Sequence, residues 1–246
     1  MFDAYTQFAI LCDGPVLVHE RIAHHFKDRG QVTSYALGST GVPSAEELRV
    51  VNGAYEFDLH AEGQVLKGLR LGMPGRHNVE NAIAASTIAL RMGVTPELLR
   101  EGLASFRGVS RRFETRIAGP DVVFIDDYAH HPKELDACIG SVREMYPGKR
   151  ITGIFQPHLF TRTRDLASDF GRSLAALDEL ILLEIYPARE EPIPGITSQW
   201  LLDQVPMDNK VVCTRDALLD LLKDRPIEVL LTVGAGAHAW HAPLVA

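Results

Sequence analysis

The hydrophobic positions of this chain change their rhythm near residue 110. Beyond about residue 120 they gather into short β-branched runs separated by helical patterns. Val122–Asp126 (Val-Val-Phe-Ile-Asp) has the character of a buried parallel strand. Pro132 suits a first helical position, and the spacing of Lys133–Met145 predicts a helix. Arg150–Phe155 predicts the next strand, and Arg164–Leu177 a helix with Leu166, Phe170, Leu174 and Leu177 on its apolar side. Leu180–Ile185 reads as a strand, Ser198–Val205 as a short helix, and Lys210–Thr214 as a strand. Asp216–Lys223 reads as a helix and Val229–Val233 as the last strand. Five strands alternating with helices predict βαβ units and a Rossmann-like, mostly parallel sheet. Ligands of such sheets bind outside the carboxyl ends of the strands.

The first 110 residues follow another pattern. Pro15–His19 and Tyr55–Leu59 read as strands, and Val65–Leu71 alternates as a half-buried strand does. Asn78–Met92 is an alanine-rich helix. Glu97–Leu103 is another, opened by Thr95 as cap and Pro96 as first residue. Around Ser105–Phe113 the helical pattern gives way to a glycine and a basic pair, which places a domain boundary near residue 110.

The 246 residues suffice for one large domain or two modest ones. Apolar content of 46% and charged content of 23% exclude disordered and fibrous classes. A net charge of −7 argues against general nucleic-acid binding and leaves room for a local basic pocket. Cys12, Cys138 and Cys213 are far apart and show neither a disulfide framework nor zinc spacing, which fits a reducing cytoplasm. Asp3 and Asp13 interrupt any signal-peptide pattern at the start. Val229–Ala246 is uncharged, but its glycines, proline and two histidines favour a strand, a turn and a soluble tail over a membrane span.

Four segments place polar groups where a packed domain would not need them. In Gly75–Ala85, His77, Asn78 and Asn81 fall on a helix's first turn, with His77 and Asn81 four apart on one face. Asn78 could cap that helix, or the amides could pair with the edge of a base. Arg111 and Arg112 form either a solvated basic pair or a phosphate contact at a hinge. Asp126-Asp127-Tyr128-Ala129-His130-His131 follows a strand directly and is costly to bury unless paired. Its histidines are adjacent, so they point in different directions, which speaks against zinc. The segment suits orientation of a ligand hydroxyl or phosphate. In Phe155–Asp165, His158 precedes Arg162 and Arg164 near a helix start, a combination that suits an anion; the alternative is a surface loop with an Arg–Asp pair. Thr232–Gly236 is a glycine turn.

Together these segments resemble the Mur ligases. The elements are Gly-Arg-His-Asn-Val-Glu-Asn-Ala at 75–82, Phe-Arg-Gly-Val-Ser-Arg-Arg-Phe-Glu at 106–114, Asp-Asp-Tyr-Ala-His-His-Pro at 126–132 and Phe-Gln-Pro-His-Leu-Phe-Thr-Arg-Thr-Arg at 155–164. The fourth is most similar to the branch that joins L-alanine to UDP-N-acetylmuramate. The alternative branch is the murein-recycling ligase, which joins a tripeptide. The resemblance implies an α/β fold: residues 1–110 as the later part of a central ATP-binding domain, and 111–246 as a Rossmann-like carboxyl-terminal ligand domain. It implies ATP and Mg²⁺, a cytoplasmic enzyme of peptidoglycan synthesis, and amide formation through an acyl phosphate. By the same resemblance His77, Asn78 and Asn81 hold adenine or ribose, Arg111 and Arg112 meet the nucleotide phosphates, and Asp127 lies near the nucleotide. Tyr128, His130, His131, His158, Arg162 and Arg164 face the muramyl substrate and amino acid, with Arg112 and His131 as catalytic residues.

The departures matter as much. The family's glycine-rich phosphate loop has no counterpart: Gly38-Ser-Thr-Gly41 lacks the lysine, and Gly148-Lys149 runs into Arg150. The Mg²⁺ ligands are expected ahead of residue 1, and no metal ligand is assigned within the chain. A divergent tail, 237–246, replaces the acidic residue and terminal helix. A half domain would also leave a sheet edge uncovered. Three readings follow: a ligase portion inactive alone, one half of a split enzyme that works with a separate amino-terminal chain, or a non-catalytic nucleotide- or muramyl-binding module. Neither nucleic acid nor membrane is an expected partner.

Overall fold

A computed structural model describes residues 2–27, 30–40, 42–51, 53–223 and 225–235; Gly41, Gly236 and the tail 237–246 lie outside them. The chain divides into two compact units, Met1–Arg107 and Gly108–Ala246.

The first unit runs α1 (Phe2–Ile10), β1 (Val16–His19), α2 (Glu20–Ala23), a 3₁₀ turn at His24–Phe26, β2 (Val32–Leu37), β3 (Ser44–Val51), β4 (Ala54–Ala61), β5 (Gln64–Leu71), α3 (Arg76–Arg91) and α4 (Pro96–Ser105). Its sheet has the order β1-β2-β3-β4-β5, parallel from β1 to β3 and antiparallel from β3 to β5. Tyr55, Phe57, Leu59, Leu69, Val79 and Ile83 are fully buried where α3 lies against β2, β3 and β4. Strict alternation along β5 is broken once: Leu66, Leu69 and Leu71 are buried. The pairing with β4 shifts between Phe57 and Leu59, and Gly68 adopts φ +62° with its N–H donated to Asp58 Oδ1 at 2.8 Å. This one-residue bulge keeps all three leucines on the core side.

The expected strands over 15–19, 55–59 and 65–71 form with small shifts of their ends. Helix α1 and strands β2 and β3 carry too mixed a pattern to be read in advance. α1 leaves Tyr5, Phe8 and Ile10 exposed, as is Leu11 just beyond it, and buries Ala9. One expectation is corrected at α3. The helix begins at Arg76, so its cap is Gly75 at φ +103° and Asn78 lies inside the first turn. Asn78 instead donates its side-chain amide to the Pro74 carbonyl at 2.5 Å.

The second unit runs β6 (Glu114–Ala118), β7 (Val123–Asp127), α5 (Pro132–Met145), β8 (Ile151–Phe155), α6 (Phe160–Asp165), α7 (Ala167–Leu174), β9 (Glu179–Leu183), α8 (Ser198–Asp203), β10 (Lys210–Cys213), α9 (Leu218–Lys223) and β11 (Val229–Val233). The order is β10-β9-β8-β11-β7-β6. The five expected strands are mutually parallel, and β6 adds an antiparallel edge that the sequence had not announced. Every residue of β7, β8, β9 and β11 is buried, because helices cover both faces. Leu135, Ile139 and Val142 of α5, Phe170 and Leu174 of α7, and Leu201 of α8 close one face. Leu218 and Leu222 of α9 close the other over Phe124, Ile154 and Leu230.

The single helix expected over 164–177 is two. Leu166 sits at φ −114°, ψ 15° and ends α6, and α7 restarts beyond it. The break lets α6 start four residues early, at Phe160, while α7 follows α5. There Ser173 Oγ donates to the Pro132 carbonyl at 3.2 Å. At the amino ends of the strands, buried Glu179 pairs with Arg150 at 3.2 Å and with Arg225.

A β-carbon on Gly171 would overlap the Gln204 carbonyl oxygen at the end of α8. Alanine would be favoured by about 1 kcal/mol in helix propensity, but backbone must move to admit it. Gly171→Ala is therefore expected to lower stability by about 1–3 kcal/mol in urea unfolding.

Candidate active site

β7 delivers two buried carboxylates to its carboxyl end, Asp126 and Asp127, 3% and 6% exposed. Asp127 accepts the Phe113 N–H on Oδ2 and the Ala129 N–H on Oδ1, each at 2.7 Å. Asp126 Oδ1 accepts the Thr232 hydroxyl of β11 at 2.7 Å, and its Oδ2 stands 3.5 Å from Arg111 Nε. Both carboxylates thus hold protein groups that a neutral residue would leave unsatisfied.

The basic pair splits. Arg111 is buried with φ +61°; its N–H donates to Glu114 Oε2 at 2.8 Å and its guanidinium bonds the Gly234 carbonyl. Arg112 is exposed, its guanidinium 5.4 Å above the Tyr128 ring, while that of Arg111 lies 4.9 Å from the same ring. One arginine is thereby structural and the other free to reach a ligand, with Tyr128 as a cation–π platform.

His131 is the N-cap of α5. Its Nδ1 accepts the Lys133 N–H at 3.3 Å, and Glu134 Oε2 accepts the His131 N–H at 3.2 Å and the His130 N–H at 3.0 Å. This capping box fixes both histidines. With Nδ1 accepting, neutral His131 carries its proton on Nε2 and serves as a donor. The His130 ring stands against Tyr128 (5.1 Å between centroids) and faces His158 (6.3 Å).

His158 leaves β8 just beyond Phe155 and stacks on Tyr186, 5.7 Å between centroids and 26° between planes. Burial, with the Arg162 guanidinium and the His130 ring beside it, holds the His158 imidazole below its ordinary value. His158 Nδ1 and Arg162 Nη1 are buried and make no hydrogen bond within the described residues. Arg164, expected at the same ligand, is exposed and bonds Asp165 Oδ1 through Nε at 2.7 Å. Gln156 is buried, donates to the Glu184 carbonyl at 3.2 Å and accepts from Arg215 at 3.1 Å. A β-carbon on Gly234 would lie 2.6 Å from the Gln156 carbonyl, so the end of β11 requires glycine.

The structure therefore gathers Arg112, Tyr128, His130, His158 and Arg162 along the carboxyl edge of β7 and β8. Among the described residues no group of three or more His, Cys, Asp or Glu could hold a metal ion. In the first unit, His77 and Asn81 share the start of α3, and Asn81 Nδ2 donates to Asn78 Oδ1 at 3.4 Å. Asn78 is buried, so its amide serves the turn from Pro74.

The sequence profile described as Mur ligase, glutamate ligase domain, matches residues 111–236. The chain belongs to the Mur ligase family. This Mur ligase chain is 45% identical over 237 residues to UDP-N-acetylmuramate–L-alanine ligase of Parabacteroides distasonis, covering 96% of itself and 51% of that protein. It is 53% identical over 193 residues to the protein of the same name from Porphyromonas gingivalis strain W83, covering 78% and 42%. The chain spans about half the length of the curated relatives it matches. Among solved structures, UDP-N-acetylmuramate–alanine ligase MurC of Thermotoga maritima shares the fold at TM-score 0.78 and 23% identity, over 99% of this chain and 53% of that one.

Reasoning from the sequence missed Glu134, Tyr186, Glu190 and Arg215. The spacing His131-x-x-Glu134 ahead of an apolar run is a capping-box signal and could have been read. Tyr186, Glu190 and Arg215 meet their partners only through the fold.

Two outcomes follow. Asp127→Ala strands the Phe113 and Ala129 amides and is expected to cost at least about 2 kcal/mol in urea unfolding, with Asp127→Asn intermediate because it keeps one acceptor. The lowered His158 value means the unfolded chain binds its proton more readily. The stability it contributes is full above the ordinary histidine value and is lost as pH falls from about 6.5 through the folded value. Unfolding midpoints measured across that window should fall in wild type and fall less in His158→Gln.

Proposed function

We propose that this chain is the carboxyl-terminal portion of an ATP-dependent, cytoplasmic UDP-N-acetylmuramate–L-alanine ligase of peptidoglycan synthesis. The observation that carries the reading is 45% identity along 96% of the chain to a ligase of that name. Residues 1–110 are read as the later part of the central ATP-binding domain and 111–246 as the carboxyl-terminal ligand domain.

In the reaction so read, the lactyl carboxylate of UDP-N-acetylmuramate attacks the γ-phosphate of ATP. The L-alanine amine then displaces phosphate from the resulting acyl phosphate. The barrier yields to cationic groups on the transferring phosphoryl and to positioning. Mg²⁺ bound with the nucleotide would neutralise phosphate charge, but the described residues do not form its site.

The arginine assigned to the phosphates is Arg112, exposed and steadied over Tyr128. Arg111, buried against Asp126 and Gly234, acts from beneath it, and Asp127 acts by holding Phe113 and Ala129. His131 is a hydrogen-bond donor through Nε2. His130, His158 and Arg162 form the basic edge for the muramyl and amino-acid groups, with Arg164 at its rim. His77 and Asn81 are assigned to the adenine or ribose.

The test is L-alanine-dependent phosphate release from ATP with UDP-N-acetylmuramate and Mg²⁺. The chain alone is expected to be silent. Mixed with a separately expressed amino-terminal half of a related ligase, it is expected to turn over. Arg112→Ala should lower that rate about 100-fold or more. Turnover by the chain alone would show that it needs no added phosphate loop, and silence of the mixture would favour a non-catalytic module or a chain folded too poorly to dock with the added half.

A further inference from the structure

The edge that carries His158 and Arg162 has little local support. Leu159 adopts φ +70°, a left-handed conformation that leucine rarely takes. It stands at the N-cap of α6 but offers no side-chain hydrogen bond, and α6 is six residues long. A helix this short, whose N-cap residue offers no acceptor of its own, is marginal by itself.

Support comes from the loop that follows β9. Tyr186 donates its N–H to the Pro157 carbonyl at 2.8 Å, and its own carbonyl accepts the Leu159 N–H at 3.0 Å. These two bonds form a parallel bridge that grips His158 from both sides, while the Tyr186 ring stacks on the imidazole. Four residues on, Glu190 accepts the Thr161 N–H at 3.0 Å and the Thr161 hydroxyl at 2.5 Å, so a carboxylate from another loop occupies the start of α6. Those bonds, the hydroxyl's first, keep the Glu190 carboxyl below the usual carboxylate range. The loop is closed on itself by the Glu190 N–H bonded to the Pro187 carbonyl at 2.9 Å.

We infer that Tyr186 and Glu190 are positioning residues, through which the 186–190 loop sets the shape of the His158–Arg162 edge and hence its grip on substrate. Tyr186 fixes the imidazole, and Glu190 fixes the first turn of α6 from which Arg162 projects. Neither residue needs to touch the reacting atoms. The inference rests on the ligase reading only in taking this edge as a substrate surface.

The experiment uses the 246-residue chain with labelled histidine, in wild type and in Tyr186→Ala, Tyr186→Phe, Glu190→Ala and Glu190→Gln. Three quantities are read: the His158 ring titration, amide exchange at Leu159–Thr163, and affinity for the product UDP-N-acetylmuramoyl-L-alanine. His158 faces Arg162, His130, Glu190 and Arg189 as well as the Tyr186 ring. Tyr186→Ala uncovers the imidazole and should raise its titration midpoint, whereas Tyr186→Phe should keep the wild-type curve. Glu190→Gln removes a facing negative charge and should lower the midpoint further. Glu190→Ala should speed exchange of the Thr161 amide roughly tenfold or more, with Glu190→Gln retaining part of the protection. Both alanine variants should weaken product binding by a similar factor. An unchanged titration in Tyr186→Ala together with unchanged Thr161 exchange in Glu190→Ala would overturn the inference, as would wild-type product affinity in both alanine variants. A wild-type chain that fails to bind the product would count against the ligase reading of this edge, while titration and exchange would still judge the positioning roles.

Discussion

Two carboxylates buried side by side at the end of a strand must each find partners, and much of the candidate site follows from how Asp126 and Asp127 do so. Asp127 draws in the amides of Phe113 and Ala129, which fixes the chain on both sides of β7. Asp126 ties β7 to Thr232 of β11 and pairs with Arg111. Because Arg111 is held inward, its neighbour Arg112 emerges beside Tyr128. A carboxylate in a low-dielectric interior is costly unless paired and hydrogen-bonded, so these links hold as a set.

The sheet of the second unit has two chemically different ends. At the amino ends, buried Glu179 is matched by Arg150 and Arg225 and accepts the Thr152 hydroxyl at 3.2 Å, so that carboxylate is satisfied internally. At the carboxyl ends, Arg112 rests on a ring, and Arg162 and His158 keep buried nitrogens without hydrogen bonds among the described residues. The first arrangement serves stability. The second leaves positive charge and donors unmatched, on loops anchored to strands that are buried throughout.

The parallel sheet was legible because β7, β8, β9 and β11 are nearly continuous apolar runs between helical patterns, a signal that survives without knowledge of neighbours. Strand β6 was not, since an exposed edge strand such as Glu-Thr-Arg-Ile-Ala needs no apolar run. The break at Leu166 was hidden because its leucine fits the helical period on either side, while its backbone leaves the helical region at φ −114°, ψ 15°. Of the site, the residue types and their places after strands could be read, but not which member of a pair would face outward. Arg111 and Arg112 are equivalent in sequence and opposite in burial, and Arg164, expected beside Arg162, is taken up by Asp165.

The sequence by itself determined the α/β alternation, the strand ends where chemistry gathers and the segments of Mur ligase character, because periodicity and local motifs act over a few residues. The tertiary structure alone decided the left-handed turns at Arg111 and Leu159, the grip of Tyr186 and Glu190 on a segment nearly thirty residues away in the chain, and the clamp from Asp126 to Thr232. Such contacts depend on strand order, which β11 sets by inserting between β8 and β7. Side chains distant in sequence meet there because hydrogen bonding and burial, rather than neighbourhood along the chain, fix which strands lie side by side.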